Sequence, residues 1–214
     1  MIISDNLFHI WIGPKPAPLK WMGTWKDRHP KSNYWVFTDD MYKGRTWFNQ
    51  HLMDHYYKMG RYNGVADLIR YELLYELGGF IPPADSICFR NTDELFCEPK
   101  QFCYTVYENE KGRPGLVSPI LAANAENSFV ETILDTLQQL EPGDLHQSPW
   151  RSTGNLFLKN MIEKVSPKIK IWPSYFFIPN HHDPKIPRYN GEGPVYADQL
   201  WGSTPNGRNY EDGV

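Results

Sequence analysis

"NGVADLIRYELLYELGGFIPPADSIC", residues 63–88, joins a helical pattern to a glycine pair and a proline pair. Apolar residues recur every three to four positions over 65–77, which predicts an amphipathic helix, and Gly78 lies where that helix should end. Two prolines then precede a lone carboxylate, Asp85. Because proline fixes φ and lacks a backbone donor, a stiff turn is predicted to present Asp85. The alternative is a proline pair that merely leaves a strand at a sheet edge.

The charges of this helix fall on two sides. A projection at about 100° per residue places Glu72 and Glu76 on one narrow stripe, which is predicted to face solvent. Asp67 and Arg70 lie roughly opposite, toward packed structure or a cleft, and need partners. One interpretation is an i, i+3 ion pair between them. The other is that Arg70 offers donors to ligand oxygens while Asp67 orients it or accepts from a hydroxyl.

Composition restricts the class of protein. The chain has 214 residues, of which 41% are hydrophobic and 15% aromatic, and a formal net charge of −3. These values are typical of one globular domain and argue against nucleic acid as a partner. The sequence has no apolar run that could span a membrane and no signal-peptide pattern at the N-terminus. We therefore expect a cytoplasmic protein, either bacterial or encoded by a virus.

Strand and helix patterns alternate along the chain, which predicts an α/β fold with helices on both faces of one mixed central sheet, with a reversed strand at its edge. The predicted strands are 7–13, 33–37, 102–107, 115–123, 168–173 and 175–179. Besides 65–77, the predicted helices are 20–29, one that opens at Thr38, 129–140 with a capping box of Ser128 and Glu131, and 156–165.

Residues 63–88 resemble the sugar-binding region with the DXD motif of a large glycosyltransferase family. That family includes yeast-type mannosyltransferases, capsular polysaccharide enzymes and, more distantly, clostridial glucosylating toxins. The family pattern A-x-x-S-D-x-x-R-Y-x-x-L-x-x-x-G-G-x-Y-x-D-x-D is matched in register by Asp67, Arg70, Tyr71, Leu74, Gly78, Gly79 and Asp85. The segments "FHIWIGPKPAP", "SNYWVFTDD" and "YADQLWGST" are similar to the family's first strand, its second strand and its C-terminal segment with His, Trp and Ser-Trp.

The sequence departs from the family at several positions. The first Asp of the DXD motif is Pro83 and the Tyr before it is Ile81. The opening His-Gln is Phe8-His9, and the C-terminal His and last Trp are Gln199 and Thr204. These departures concern the metal site more than the fold.

The resemblance implies a GT-A fold, which is a Rossmann-like unit for a nucleotide-diphosphate sugar. Residues 1–214 would form one domain, with the donor-binding part in roughly 1–100 and the acceptor side and closing segment in roughly 101–214. The implied activity moves a hexose from a UDP-sugar, with a GDP-sugar as the alternative donor, to a glycan or other hydroxyl acceptor. Retention of anomeric configuration and a Mn²⁺ or Mg²⁺ cofactor are further implications of the resemblance.

The resemblance also assigns site residues. Asp85 would hold the metal ion against the diphosphate, with Asp198 and Gln199 as further ligands, and Asp67 and Arg70 would complete the catalytic set by binding donor-sugar hydroxyls. The remaining donor-binding candidates flank the base, the sugar or the diphosphate: they are Ile10, Trp11, Thr38, Asp39, Ala84, Trp201 and Ser203.

Two other functions stay open from the sequence. One is a catalytically impaired module that binds a nucleotide sugar but lost its chemistry with Pro83. The other is a nucleotidyltransferase on a similar sheet, although the N-terminal loop "IGPKPAP" has only Gly13 where such an enzyme needs a glycine-rich phosphate loop. His181 and His182 are adjacent, so a solvated loop is favoured over a metal site.

Overall fold

A six-stranded mixed sheet lies at the centre of the computed structural model, which describes residues 3, 5–202, 204 and 206–214. Its strand order is β2-β1-β3-β6-β5-β7, and β4 and β8 form a separate two-stranded sheet. The strands are β1 (Asn6–Ile10), β2 (Asn33–Phe37), β3 (Gly79–Ile81), β4 (Ser86–Cys88), β5 (Cys103–Asn109), β6 (Arg113–Ala123), β7 (Ile169–Trp172) and β8 (Ala197–Gln199).

Five strands of the central sheet run in one direction and β6 runs against them. β1 pairs in parallel with β2 and β3, and β5 pairs in parallel with β7, whereas β6 is antiparallel to both β3 and β5. The predicted mixed sheet is confirmed. The reversed strand, however, lies inside the sheet and not at its edge.

Helices pack on both faces of the sheet, as predicted. The core of one face is filled by apolar side chains of α3, α4, α5 and α7, and that of the other face by α1 with the segments around β4 and β8. The helices are α1 (Leu19–Arg28), α2 (Asp39–Lys43), α3 (Gln50–Lys58), α4 (Tyr62–Leu77), α5 (Ser128–Gln138), α6 (Pro149–Ser152) and α7 (Asn155–Val165). Within the described residues, none of these helices has the length and apolar character of a membrane span.

The glycine pair after α4 is required by the path of the chain. Gly78 and Gly79 have φ values of 61° and 124°, which disfavour residues with a side chain. A Cβ on Gly79 would lie 2.4 Å from the carbonyl oxygen of Asn6, and one on Gly78 would lie 2.4 Å from the backbone nitrogen of Ala125. The pair therefore lets α4 turn at once into β3, close beside β1.

Three local predictions are wrong for identifiable reasons. Asn127, and not Ser128, caps α5, because its side chain accepts hydrogen bonds from two backbone amides of the first turn. The apolar run 175–179 does not form a strand, since a 3-10 turn occupies Ser174–Phe176. Glu72 is buried rather than solvated, and its carboxylate accepts from the backbone amides of residues 48 and 49 at 2.8 and 2.9 Å.

Candidate active site

The candidate site lies along the carboxyl edge of the central sheet. Because β1, β2, β3, β5 and β7 run in one direction, the segments that follow them meet at this edge, where ligands of α/β sheets bind. Trp11 follows β1, Thr38 and Asp39 follow β2, Asp85 follows β3, and Glu108 lies near the end of β5. The topology thus brings together residues from both halves of the chain.

Asp85 is half-buried in the turn between β3 and β4. Its carboxylate accepts a hydrogen bond from Gln199 Nε2 at 2.6 Å and another from the Gly202 backbone amide at 3.0 Å. Burial raises the pKa of this carboxyl, and none of the described cationic side chains forms an ion pair with it. The negative charge of an ionised Asp85 is therefore not balanced by a cationic side chain of the described residues, and this favours the binding of a cation.

The other two proposed metal ligands lie on opposite sides of β8. Gln199 is opposite Ser86 in the β4–β8 pairing and turns toward Asp85, whereas Asp198 is opposite Ile87 and accepts from Asn180 Nδ2 at 2.8 Å. Successive side chains of a strand point to opposite faces, so the structure brings Gln199 but not Asp198 to Asp85. Burial raises the pKa of Asp198.

The Asp85–Gln199 pair fits a hard divalent cation. Gln199 Oε1 is buried and has no hydrogen-bond partner among the described residues, although its amide nitrogen is bonded to Asp85. A carboxylate beside an unpaired amide oxygen is the type of ligand set that Mg²⁺ and Mn²⁺ prefer, with water and phosphate oxygens as the remaining ligands. Within the described part of the chain, no three His, Cys, Asp or Glu side chains are grouped so that they could hold a metal ion by themselves.

Asp67 and Arg70 form the i, i+3 ion pair that was one of the two interpretations of α4. Arg70 Nη1 lies 2.6 Å from Asp67 Oδ1, and the side chains are only 13% and 11% exposed, respectively. Thr153 Oγ1 donates to Asp67 Oδ2 at 3.2 Å, which joins α4 to the turn before α7. Burial raises the pKa of Asp67 while the Arg70 charge opposes that rise. Arg70 Nε is buried without a partner in the described structure, so this guanidinium keeps donor capacity for a ligand.

The residues after β1 and β2 have different surroundings. Ile10, the last residue of β1, belongs to the buried core. Asp39 accepts from the Gly13 amide at 2.8 Å and from the Tyr57 hydroxyl at 2.7 Å, so it fixes the loop after β1. Thr38 is half-buried at the start of α2, and Ala84 is half-buried beside Asp85.

The Trp11 ring is already stacked. Its centroid lies 5.4 Å from that of Tyr210, with 5° between the ring planes, and its Nε1 donates to the Lys15 carbonyl at 2.7 Å. Tyr210 belongs to a 3-10 turn at the C-terminus, Tyr210–Gly213. One face of Trp11, the proposed base-flanking ring, is thus covered by the chain's own tail.

The Trp201 ring contacts His181 and His182, the two histidines for which a solvated loop is predicted. Its ring centroid is 5.1 Å from that of His181 and 4.6 Å from that of His182, and its Nε1 donates to the Asn180 carbonyl at 3.0 Å. The assignment is wrong for His181, whose side chain is 1% exposed. Ser203, the neighbouring donor-binding candidate, lies outside the described residues.

A buried polar cluster beside Trp201 was not predicted. Glu108 is 3% exposed, and its carboxylate contacts Arg113 Nη1 at 2.9 Å, His181 Nε2 at 3.2 Å and Asn155 Nδ2 at 2.5 Å. One signal was present in the sequence, because Glu108 continues the inward alternation of Tyr104 and Val106 along β5. A carboxylate at a core position of a strand requires partners, and these come from distant segments.

A groove lies between the C-terminal half of α4 and α5, away from the carboxyl edge. Its volume is about 310 Å³, and carboxylates supply most of its polar lining: the groove is formed by Phe48, Glu72, Tyr75, Glu76, Glu131, Leu134 and Asp135. Negative side chains repel an anionic ligand, so this groove does not suit a nucleotide diphosphate.

The structure resembles solved glycosyltransferases. The PaToxG glycosyltransferase matches with a TM-score of 0.58 and 14% identity over 76% of this chain and 70% of that chain. The UDP-bound glycosyltransferase domain from the YGT toxin gives a TM-score of 0.53 and 10% identity over 79% of both chains. A glycosyltransferase involved in the glycosylation of the major capsid of PBCV-1 gives 0.51 and 8%, over 97% of this chain and 98% of that chain.

The chain has a GT-A-like glycosyltransferase fold. This agrees with the fold that residues 63–88 implied by resemblance. Neither a protein-family model nor a curated protein sequence matches the chain. At these low sequence identities the comparisons establish only the fold. The activity therefore has to be argued from the residues at the carboxyl edge of the central sheet.

Proposed function

We propose that the protein is a metal-assisted glycosyltransferase that moves a hexose from a nucleotide-diphosphate sugar to a hydroxyl group of a glycan or other acceptor. The observation that carries the proposal is Asp85, a half-buried carboxylate with no cationic partner among the described residues, held at the carboxyl edge of a GT-A-like sheet. A UDP-bound toxin domain shares this fold, which favours UDP as the nucleotide over GDP. Retention of configuration rests on the family resemblance.

In this proposal Asp85 and Gln199 hold a divalent cation. When bound, Mn²⁺ or Mg²⁺ would act as a Lewis acid on the oxygens of the departing diphosphate. Asp85 supplies the negative charge that attracts the ion, and Gln199 supplies its unpaired amide oxygen. We leave Asp198 out of this ligand set because its side chain lies on the other face of β8.

The other residues bind and orient the donor. Arg70, fixed by Asp67 but with Nε unpaired, would donate to sugar hydroxyls. Trp11 would stack on the base after Tyr210 leaves its face. Trp201 Nε1 would exchange the Asn180 carbonyl for a diphosphate oxygen, which places a donor where negative charge develops in the reaction.

The test is hydrolysis of a panel of UDP-sugars and GDP-sugars with and without Mn²⁺. We expect one donor class to be turned over, and we expect Asp85→Asn to lose the Mn²⁺ stimulation. Asp198→Asn should keep that stimulation, because its carboxylate faces away from Asp85. Wild-type stimulation in Asp85→Asn would contradict the proposed role of this carboxylate.

A second candidate, a nucleotide-sugar-binding module without turnover, is favoured by one observation. Pro83 replaces a family carboxylate, and both Asp85 oxygens already accept hydrogen bonds within the chain. Calorimetric titration separates the two functions. Tight UDP binding without hydrolysis or transfer for any donor of the panel would support the binding module.

A further inference from the structure

The turn before Asp85 lacks two backbone donors, because two of its residues are prolines. It joins β3, which ends at Ile81, to β4, which begins at Ser86. Pro82 and Pro83 have no N–H groups, yet their carbonyl oxygens still need donors where water is excluded. Side chains from other elements supply these donors.

His9 supplies the first donor. Its Nδ1 lies 3.2 Å from the Pro82 carbonyl oxygen, and because a carbonyl only accepts, Nδ1 carries the proton. The imidazole is fully buried, with its ring edge-on to Trp25 at 6.1 Å and to Tyr34 at 5.7 Å. Nε2 has no partner among the described residues. A buried imidazole with one unpaired nitrogen is costly, and the hydrogen bond from Nδ1 to the Pro82 carbonyl oxygen is the contact that offsets this cost.

Ser86 supplies the second donor. Its hydroxyl donates to the Pro83 carbonyl oxygen at 2.6 Å and itself accepts from Trp25 Nε1 at 3.0 Å. Trp25 therefore contacts both donors, as the partner of the hydroxyl and as the ring beside the imidazole. The two proline carbonyls are held by one connected, buried set of side chains.

We propose that His9, Ser86 and Trp25 form a clamp that positions Asp85 for its ligand, with His9 as the central positioning residue. This inference rests on the proposed role of Asp85. The clamp explains how a turn with Pro83 in place of a carboxylate can still hold Asp85 in a fixed direction. His9 acts through Pro82 and the turn, and it does not touch the ligand.

Burial keeps the clamp unchanged over the working pH range. Burial lowers the pKa of His9 to about 3, so the imidazole stays neutral and Nδ1 keeps the proton that it donates to the Pro82 carbonyl oxygen. The ring faces Trp25 and Tyr34, and burial raises the pKa of Tyr34 to about 12, so neither neighbour is charged at neutral pH.

Three variants test the clamp. His9→Leu removes the donor and keeps the site filled, and His9→Asn restores a donor near the position of Nδ1. His29→Leu is the matched control, because His29 is also buried and also stacks on Trp25, at 5.9 Å, but bonds Thr92 and not the turn. Each variant is compared by amide hydrogen exchange of Gly202, whose N–H donates to Asp85, corrected for the global free energy of unfolding.

We expect His9→Leu to lose protection of the Gly202 amide, while His9→Asn and His29→Leu keep it. In donor hydrolysis, His9→Leu should lower kcat about tenfold or more, the loss that is typical when a group that orients a metal ligand is removed. We expect a smaller change in KM, because His9 does not touch the donor. Unchanged Gly202 protection in His9→Leu would overturn the clamp, whether or not the chain hydrolyses any donor. A wild-type protein without donor turnover would instead refute the proposed function alone, since the exchange measurement does not depend on it.

Discussion

Acid should weaken this fold in a way that depends on His9. The perturbation is a change from pH 7.5 to pH 5, compared between the wild type and His9→Asn. The pKa of His9 is lowered from 6.5 to about 3 in the native state because the imidazole is buried. Its contribution to stability is therefore complete above the unfolded pKa and is lost as the pH falls toward 3.

The size of the effect follows from proton linkage. At pH 5 the unfolded imidazole is about 97% protonated while the native one stays neutral, which removes about 2 kcal/mol of stability relative to pH 7.5. This loss of stability is the same for any native His9 pKa of about 4 or lower, because the native ring is then uncharged at pH 5.

Other groups titrate as well, so the difference between the two proteins is the quantity to measure. Burial lowers the pKa of His29, which adds acid sensitivity, whereas the raised pKa values of Asp67, Glu72 and Asp85 stabilise the native state as the pH falls. All of these groups are present in both proteins and cancel in the difference. Urea unfolding at pH 7.5 and pH 5 should show about 2 kcal/mol more acid loss for the wild type than for His9→Asn. Equal losses of unfolding free energy in the two proteins would refute a buried, neutral His9 imidazole in the native state.

Three further predictions concern other residues. Asp85→Asn is expected to raise the melting temperature at pH 7 by about 2–4 °C for each kcal/mol gained, because a half-buried carboxylate without a cationic partner is removed; scanning calorimetry that finds a lower value would assign Asp85 a structural role. Glu72→Ala should lower the free energy of unfolding by about 1–3 kcal/mol, since two backbone amides before α3, one of them buried, lose their acceptor; urea unfolding indistinguishable from wild type would be inconsistent with that cap. Tyr210→Ala should tighten UDP binding by about fivefold in calorimetric titration, because a stacked ring worth about 1 kcal/mol no longer competes for Trp11, whereas weaker binding would make Tyr210 part of the base site.

Local patterns in the sequence predict most of the architecture. The apolar periodicity of 65–77 predicts α4 to within three residues at its start and matches its end, and 33–37 matches β2. These elements can be predicted from the sequence because their apolar patterns are local and strong. Gly78 and Gly79 also indicate the tight turn from α4 into β3. At this turn positive φ values and the close approach of Asn6 leave no room for a side chain.

The parts that the sequence did not predict depend on contacts between distant segments. Glu72 faces the solvent side in a helical projection, but it is buried because the chain 24 residues earlier packs on it. His181 is buried because β5 brings Glu108 to it across 73 positions. The hydrogen bond from Gln199 to Asp85 likewise depends on the pairing of β4 with β8. A pattern within one segment carries no information on such partners.

A crystal structure of the protein with UDP and Mn²⁺ tests the role of Asp85 most directly, because anomalous scattering locates the ion without assumptions about the ligand. We predict a manganese peak within direct coordination distance of an Asp85 carboxylate oxygen, with the diphosphate of UDP bound to the same ion and Gln199 beside it. UDP bound with its phosphates remote from Asp85, and that carboxylate still bonded only to Gln199 and Gly202, would contradict the account.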